Sequence, residues 1–146
     1  MWRWIVGSAH LVALALGGAG IALRWRGLAE AGSDLEGSVQ RGLFGDNLWG
    51  VAALIWLPTG LLRAFGGMEK GTDYYLSSPA FWVKMGLFLA VLSLEVWPMV
   101  TLIRWRLGTA PDADTAGRIS RISALQLVLT VVMVVAASAM ARGITW

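Results

Sequence analysis

Four long apolar runs, separated by short stretches rich in charge, glycine and proline, make up most of the chain. They cover approximately residues 4–23, 48–65, 80–103 and 123–141, each near the ~20 residues that carry a helix across a hydrocarbon core. The pattern predicts an all-α fold: an integral membrane, antiparallel four-helix bundle that occupies residues 1–146 as one domain, because each connection is too short to allow much else. Small residues from Gly17 to Ala22 give the first run some likeness to a cleaved signal peptide. Its length, the heavier positive charge on its far side at Arg24 and Arg26, and the three runs that follow mark it as a retained helix.

The polar stretches carry patterns of their own. In "GLAEAGSDLEGSVQRGLFGDNL" the residues Leu28, Leu35, Val39 and Leu43 recur at helical spacing among charges, which predicts an interfacial helix, with Asp46 as N-cap of the second span. In "APDADTAGRISRISALQ" a proline and capping aspartates precede good helix spacing, so the fourth helix starts in water near Asp114 and enters the membrane near Ser123.

Composition agrees with a membrane protein: 57% of the 146 residues are hydrophobic and 14% charged, with a mean hydropathy of +0.64. With no cysteine, disulfides, thiolate-bound zinc, iron–sulfur clusters and covalently attached haem are excluded. The net charge of +3 sits beside apolar runs, where it orients helices and does not signal nucleic acid. With Lys84 set aside, Arg3, Arg63, Lys70 and Arg142 lie on one side and Arg24, Arg26, Arg41, Arg104, Arg106, Arg118 and Arg121 on the other. By the positive-inside rule the two loops that carry the seven are cytoplasmic, which leaves both termini and the middle loop outside. The repeated "RWR" at 24–26 and 104–106 marks two outward-to-inward helices meeting the cytoplasm. Trp2, Trp4, Trp25, Trp49, Trp82, Trp105 and Trp146 fall near span ends as interface anchors, whereas Trp56 and Trp97 do not. The lipid bilayer is thus a partner, and self-association into a homo-oligomer is left open.

The functional signal is the set of polar residues inside these spans. His10, the only histidine, lies about six residues in from the outer end of the first helix, and Lys84 about four residues in on the third. Arg63 closes the outer end of the second. Three cationic groups at one depth of a small apolar bundle point to an anion between them, with His10 and Lys84 facing each other across the first and third helices. Each also has a plainer reading: Lys84 snorkels to the interface, Arg63 sits at an interface anyway, and His10 packs with one hydrogen bond. Glu95 lies eleven residues beyond Lys84 on the same face, ~16 Å deeper, so the two cannot pair. With no cation at its predicted depth, Glu95 is expected to be a protonated carboxyl bonded to a neighbour such as Trp56 or Thr130, and tolerant of glutamine.

The strings "DNLWGVAALIWLPTGLLRAFGG" and "YYLSSPAFWVKMGLFLAVLSLEVWPMVTLIRWR", with the histidine of "SAHLVALALGGAGIALR", resemble a family of small bacterial inner-membrane proteins catalogued only as a domain of unknown function. More distantly, a first-helix histidine with a third-helix tryptophan and lysine, here His10, Trp82 and Lys84, is similar to the four-helix membrane protoporphyrinogen oxidase of the HemJ type and the copper-resistance membrane domain of the CopD type. That second resemblance implies haem b or another tetrapyrrole, with His10 as the metal ligand and Lys84 as second ligand or catalytic contact. It makes Arg63 a partner for the propionates, and Trp82 a residue of the same site. If the chain is an enzyme, the resemblance implies an oxidoreductase. Two readings stand beside it: copper handling, because Met68, Met85 and Met140 fall near the level of His10 and thioethers suit Cu(I), and a non-enzymatic membrane partner or assembly factor. Nothing in the sequence suggests a hydrolase, since one histidine with no serine, aspartate or glutamate partner at its depth makes no nucleophilic triad.

Overall fold

Each polar stretch between the apolar runs contains a helix start with its own chemical cause. Asp34 accepts a hydrogen bond from the backbone N–H of Gly37 and Asp112 one from Thr115, the N-cap arrangement that satisfies otherwise orphaned amides, and Pro79 occupies the first position of the third helix. In the computed structural model, which describes residues 1–67 and 76–142, the helices are α1 (Trp2–Ala29), α2 (Leu35–Phe65), α3 (Pro79–Arg106) and α4 (Ala113–Ala141). All four are long and apolar enough to cross a membrane. Met68, Lys70 and Trp146, to which the sequence assigned roles, lie outside the described residues.

Contacts between distant residues fix an antiparallel order. Arg3 at the start of α1 donates to the carbonyl of Gly67 just past α2, Phe65 at the end of α2 meets Phe81 at the start of α3 edge-on, and Ser120 early in α4 donates to the carbonyl of Trp25 late in α1. The bundle is therefore the one the apolar pattern predicts.

The α1–α2 pair packs closest, and glycine is the reason. A Cβ on Gly20 would lie 2.7 Å from the Gly45 carbonyl oxygen and 2.7 Å from the Trp49 nitrogen, and one on Gly45 2.6 Å from the Gly20 oxygen. Both are backbone contacts that no side-chain rotation relieves, as at other small-residue crossings of membrane helices. This contact also corrects the expected start of the second span. Asp46 is no N-cap: the interfacial helix and the span are one helix capped by Asp34, and Gly45 to Asn47 continue it while Gly45 is pressed on α1. The fourth helix does begin in the loop, one residue before Asp114. Among the anchors, Trp49 and Trp105 are buried packing residues, Trp49 against Gly17, whereas Trp2, Trp4, Trp25 and Trp82 are exposed.

The core is layered along the bundle axis. One apolar layer unites Leu28, Val39, Leu102, Trp105 and Ile119 at the end bearing the α1–α2 connection. A second unites Ala13, Ile21, Trp49, Trp56, Val91 and Met133. In sequence, Arg24 falls between Ile21 and Leu28, Glu95 between Val91 and Leu102, and Gln126 between Ile119 and Met133, so a polar layer is sandwiched between two apolar ones.

Candidate functional site

That polar layer is built by one buried arginine. Arg24 has no exposed surface, and its guanidinium makes five hydrogen bonds for its five N–H donors. Nε donates to Ser123 Oγ at 3.0 Å, Nη1 to Asp46 Oδ1 at 2.8 Å and Glu95 Oε1 at 2.7 Å, and Nη2 to Glu95 Oε2 at 2.7 Å and Gln126 Oε1 at 2.8 Å. Four helices thus meet on one side chain. The acceptors are themselves held: Gln126 Nε2 donates to Glu95 Oε2 at 2.7 Å and to the Val91 carbonyl at 3.2 Å. Arg106 Nη2 donates to Asp46 Oδ2 and Asn47 Oδ1, both at 2.8 Å. Two guanidinium groups and two carboxylates balance, so the burial of charge is compensated inside the layer.

Glu95 is therefore not the isolated carboxyl the sequence suggests. Each described partner of its two oxygens is an N–H donor, which leaves no acceptor there for a carboxyl proton. Of its two expected partners, Thr130 donates to the Gln126 carbonyl instead, and Trp56 Nε1 is buried with no hydrogen-bond partner among the described residues. The basic partner is Arg24, which looked like an interface anchor when the first helix was read alone. One signal could have found it: Ala13, Gly17, Gly20 and Arg24 recur at i+3 and i+4, so Arg24 continues the small-residue face that starts at His10.

At the other end of the bundle, His10 is half-buried and docks on α2. Its Nδ1 lies 3.0 Å from Thr59 Oγ1, and its ring stacks on Trp56 with centroids 5.7 Å apart and planes 25° from parallel. Gly60 makes the room: a Cβ there would be 3.2 Å from His10 Cε1. Thr59 Oγ1 is also 2.7 Å from the Ile55 carbonyl oxygen and 3.1 Å from that of Trp56. With its one proton on a backbone oxygen, the hydroxyl is matched to the Nδ1–H tautomer of His10. The other predicted site residues are Lys84 and Arg63, both half-buried on α3 and in the last turn of α2, and Trp82. Trp82 is exposed, its Nε1 donating to the Leu76 carbonyl at 3.0 Å. Among the described residues no group of three or more histidine, cysteine, aspartate or glutamate side chains could hold a metal, so a metal here would rest on His10 with other kinds of ligand.

No curated protein and no solved structure matches the chain. A family described as "Predicted membrane protein (DUF2214)" matches residues 2–145, which takes in both the Arg24 layer and the His10 end. The chain belongs to the DUF2214 family of predicted membrane proteins.

Proposed function

We propose that the His10 end of the bundle binds haem b or a closely related tetrapyrrole, and that the chain is a redox protein of the bacterial inner membrane with both termini outside. The observation that carries this reading is how His10 is held. His10 Nδ1 lies 3.0 Å from Thr59 Oγ1; with the Thr59 proton on the Ile55 carbonyl, Nδ1–H would be the donor and Nε2 would carry the lone pair, and histidine ligands are characteristically oriented through the nitrogen that does not bind the metal.

The residues present fit the group. His10 supplies the nitrogen ligand, and the buried Trp56 Nε1–H, without a hydrogen-bond partner among the described residues, is a donor suited to a propionate oxygen. Arg63 supplies positive charge at the same end, and Lys84 serves either as a second ligand through its neutral amine or, when charged, as a substrate contact; Trp82, its indole N–H already given to Leu76, takes no polar part. Haem bound there would supply one-electron chemistry at its iron. The protein's share is to orient the ring, neutralise the carboxylates and keep lipid and water from the metal. The orientation in the membrane is supported by the Lys and Arg asymmetry of the loops.

The experiment is to express the protein in haem-replete cells, purify it in mild detergent, and record its absorption spectrum and metal content. A Soret band at about one haem per chain is expected. His10→Ala should abolish the band, Lys84→Ala should shift or weaken it, and Arg63→Ala should lower affinity. A wild type without tetrapyrrole, or a His10→Ala variant that keeps it, overturns the reading; copper without haem would favour copper handling instead.

A further inference from the structure

A separate groove opens between α1 and α2 at the end bearing their connection, with a volume of about 570 Å³. We propose that it seats one anionic phospholipid of the adjoining leaflet, with the phosphate on Arg26 and Arg41 and the start of an acyl chain on Leu23 and Phe44. The floor is the tight crossing at Gly27, where a Cβ would lie 2.8 Å from the Cβ of Arg41.

The lining is graded along the bundle axis. Leu23 and Phe44, the deeper pair, are exposed apolar side chains. Arg26, Glu30, Gln40 and Arg41 lie toward the polar connection; from Leu23 to Glu30 is about 10 Å along the helix. An apolar wall passing into a basic rim over this distance matches a glycerophospholipid where chain meets headgroup, and basic pockets of this kind between membrane helices take anionic headgroups.

The charges favour an anion over a zwitterion. Arg26 is exposed and enters none of the ion pairs found among the described residues. Arg41 meets Glu30 at 3.2 Å and Asp34 at 3.4 Å, but these are exposed pairs, with the arginine 48% and the carboxylates 68% and 53% accessible. Exposed pairs of this kind contribute little and exchange readily, so Arg41 can turn to a phosphate. A choline headgroup would bring its own cation against Arg26 and Arg41.

The test uses the full chain, purified in detergent and mixed with phosphatidylglycerol or phosphatidylcholine, with bound lipid read by native mass spectrometry. Several-fold more phosphatidylglycerol than phosphatidylcholine should be retained. Arg26→Gln should reduce retention to the phosphatidylcholine level, and Glu30→Gln, which removes the competing carboxylate, should raise it. Arg121→Gln, a change on the exposed face of α4, should leave it unaltered. Glycerol phosphate and inorganic phosphate at the same concentration should not displace the lipid. Equal retention of the two lipids, displacement by free phosphate, or an equal loss for Arg121→Gln overturns the proposal. Far-UV circular dichroism on each variant confirms that the helices are intact.

Discussion

Arg24 on α1 and Glu95 on α3, 71 residues apart in sequence, meet end-on through two hydrogen bonds of 2.7 Å, Nη1 to Oε1 and Nη2 to Oε2, in the interior of an apolar bundle. The pair ties together helices that connect only through others, and Asp46 and Gln126 extend it to α2 and α4. Its value lies less in net stability, since burying charge is costly, than in favouring one register, because a slide of any one helix pulls an acceptor away from Arg24.

Glu95→Gln leaves the buried Arg24 charge with one carboxylate fewer. Removing one member of a buried pair costs about 3–5 kcal/mol, so the variant should lose most of its folded fraction when purified and show a markedly lower melting temperature in detergent. Glu95→Asp, which keeps the charge on a shorter arm, should fall between. A glutamine variant as stable as wild type would return Glu95 to the neutral role the sequence suggested.

The glycine crossing makes a sharp contrast. Gly45→Ala places a Cβ against the Gly20 oxygen and the Arg24 backbone nitrogen, forcing the helices apart just where Arg24 must reach Asp46. Gly18→Ala and Gly50→Ala meet nothing within 4 Å and should be neutral or slightly stabilising, because alanine exceeds glycine in helix propensity by about 1 kcal/mol. Thermal melts of the three variants side by side measure the difference.

How much of this could be read in the sequence depends on the coordinate in question. Hydropathy reports depth along each helix, and it located the four spans, while the proline and capping aspartates put the start of α4 near Asp114, one residue from where it begins. It does not report which helix a side chain reaches sideways, and Arg24 and Asp46 were both assigned to an interface for that reason. Asp46 also resembled a cap, whereas the stronger cap signal, Asp34 with its acceptor turned to Gly37, stood twelve residues earlier. His10 was recognised as a polar residue of the outer half, but its hold on Thr59 depends on the azimuth of α2, which only packing sets.

Asp112 supplies a pH dependence outside the membrane. The backbone N–H of Thr115, and then its side chain, hold the Asp112 carboxyl below its ordinary value of 3.8, with Arg118 adding a small pull. A carboxylate lowered in this way contributes fully above 3.8 and loses its contribution as the pH falls through the folded value. Asp112→Ala should therefore melt earlier than wild type at neutral pH, with the gap closing under acid. Parallel melting curves at all pH values would contradict the cap.

For the proposed cofactor site, Thr59→Val removes the acceptor that orients His10 while keeping its shape. Loss of such an orienting bond typically lowers metal affinity 10–100-fold, so haem titration of this variant should give a weakened, displaced Soret band where His10→Ala gives none. Titration identical to wild type would mean that the Thr59 contact does not orient a ligand.

The clamp itself is tested most directly by a double-mutant cycle on Arg24→Met and Glu95→Leu, read as reversible unfolding in mixed micelles by far-UV circular dichroism. Each single change strands the other's charge and should destabilise strongly. The double variant, which removes both charges, should lose far less than their sum, with a coupling of about 1–3 kcal/mol. Additivity to within about 0.5 kcal/mol would show that Arg24 and Glu95 do not act on each other, and the four-helix clamp would be contradicted.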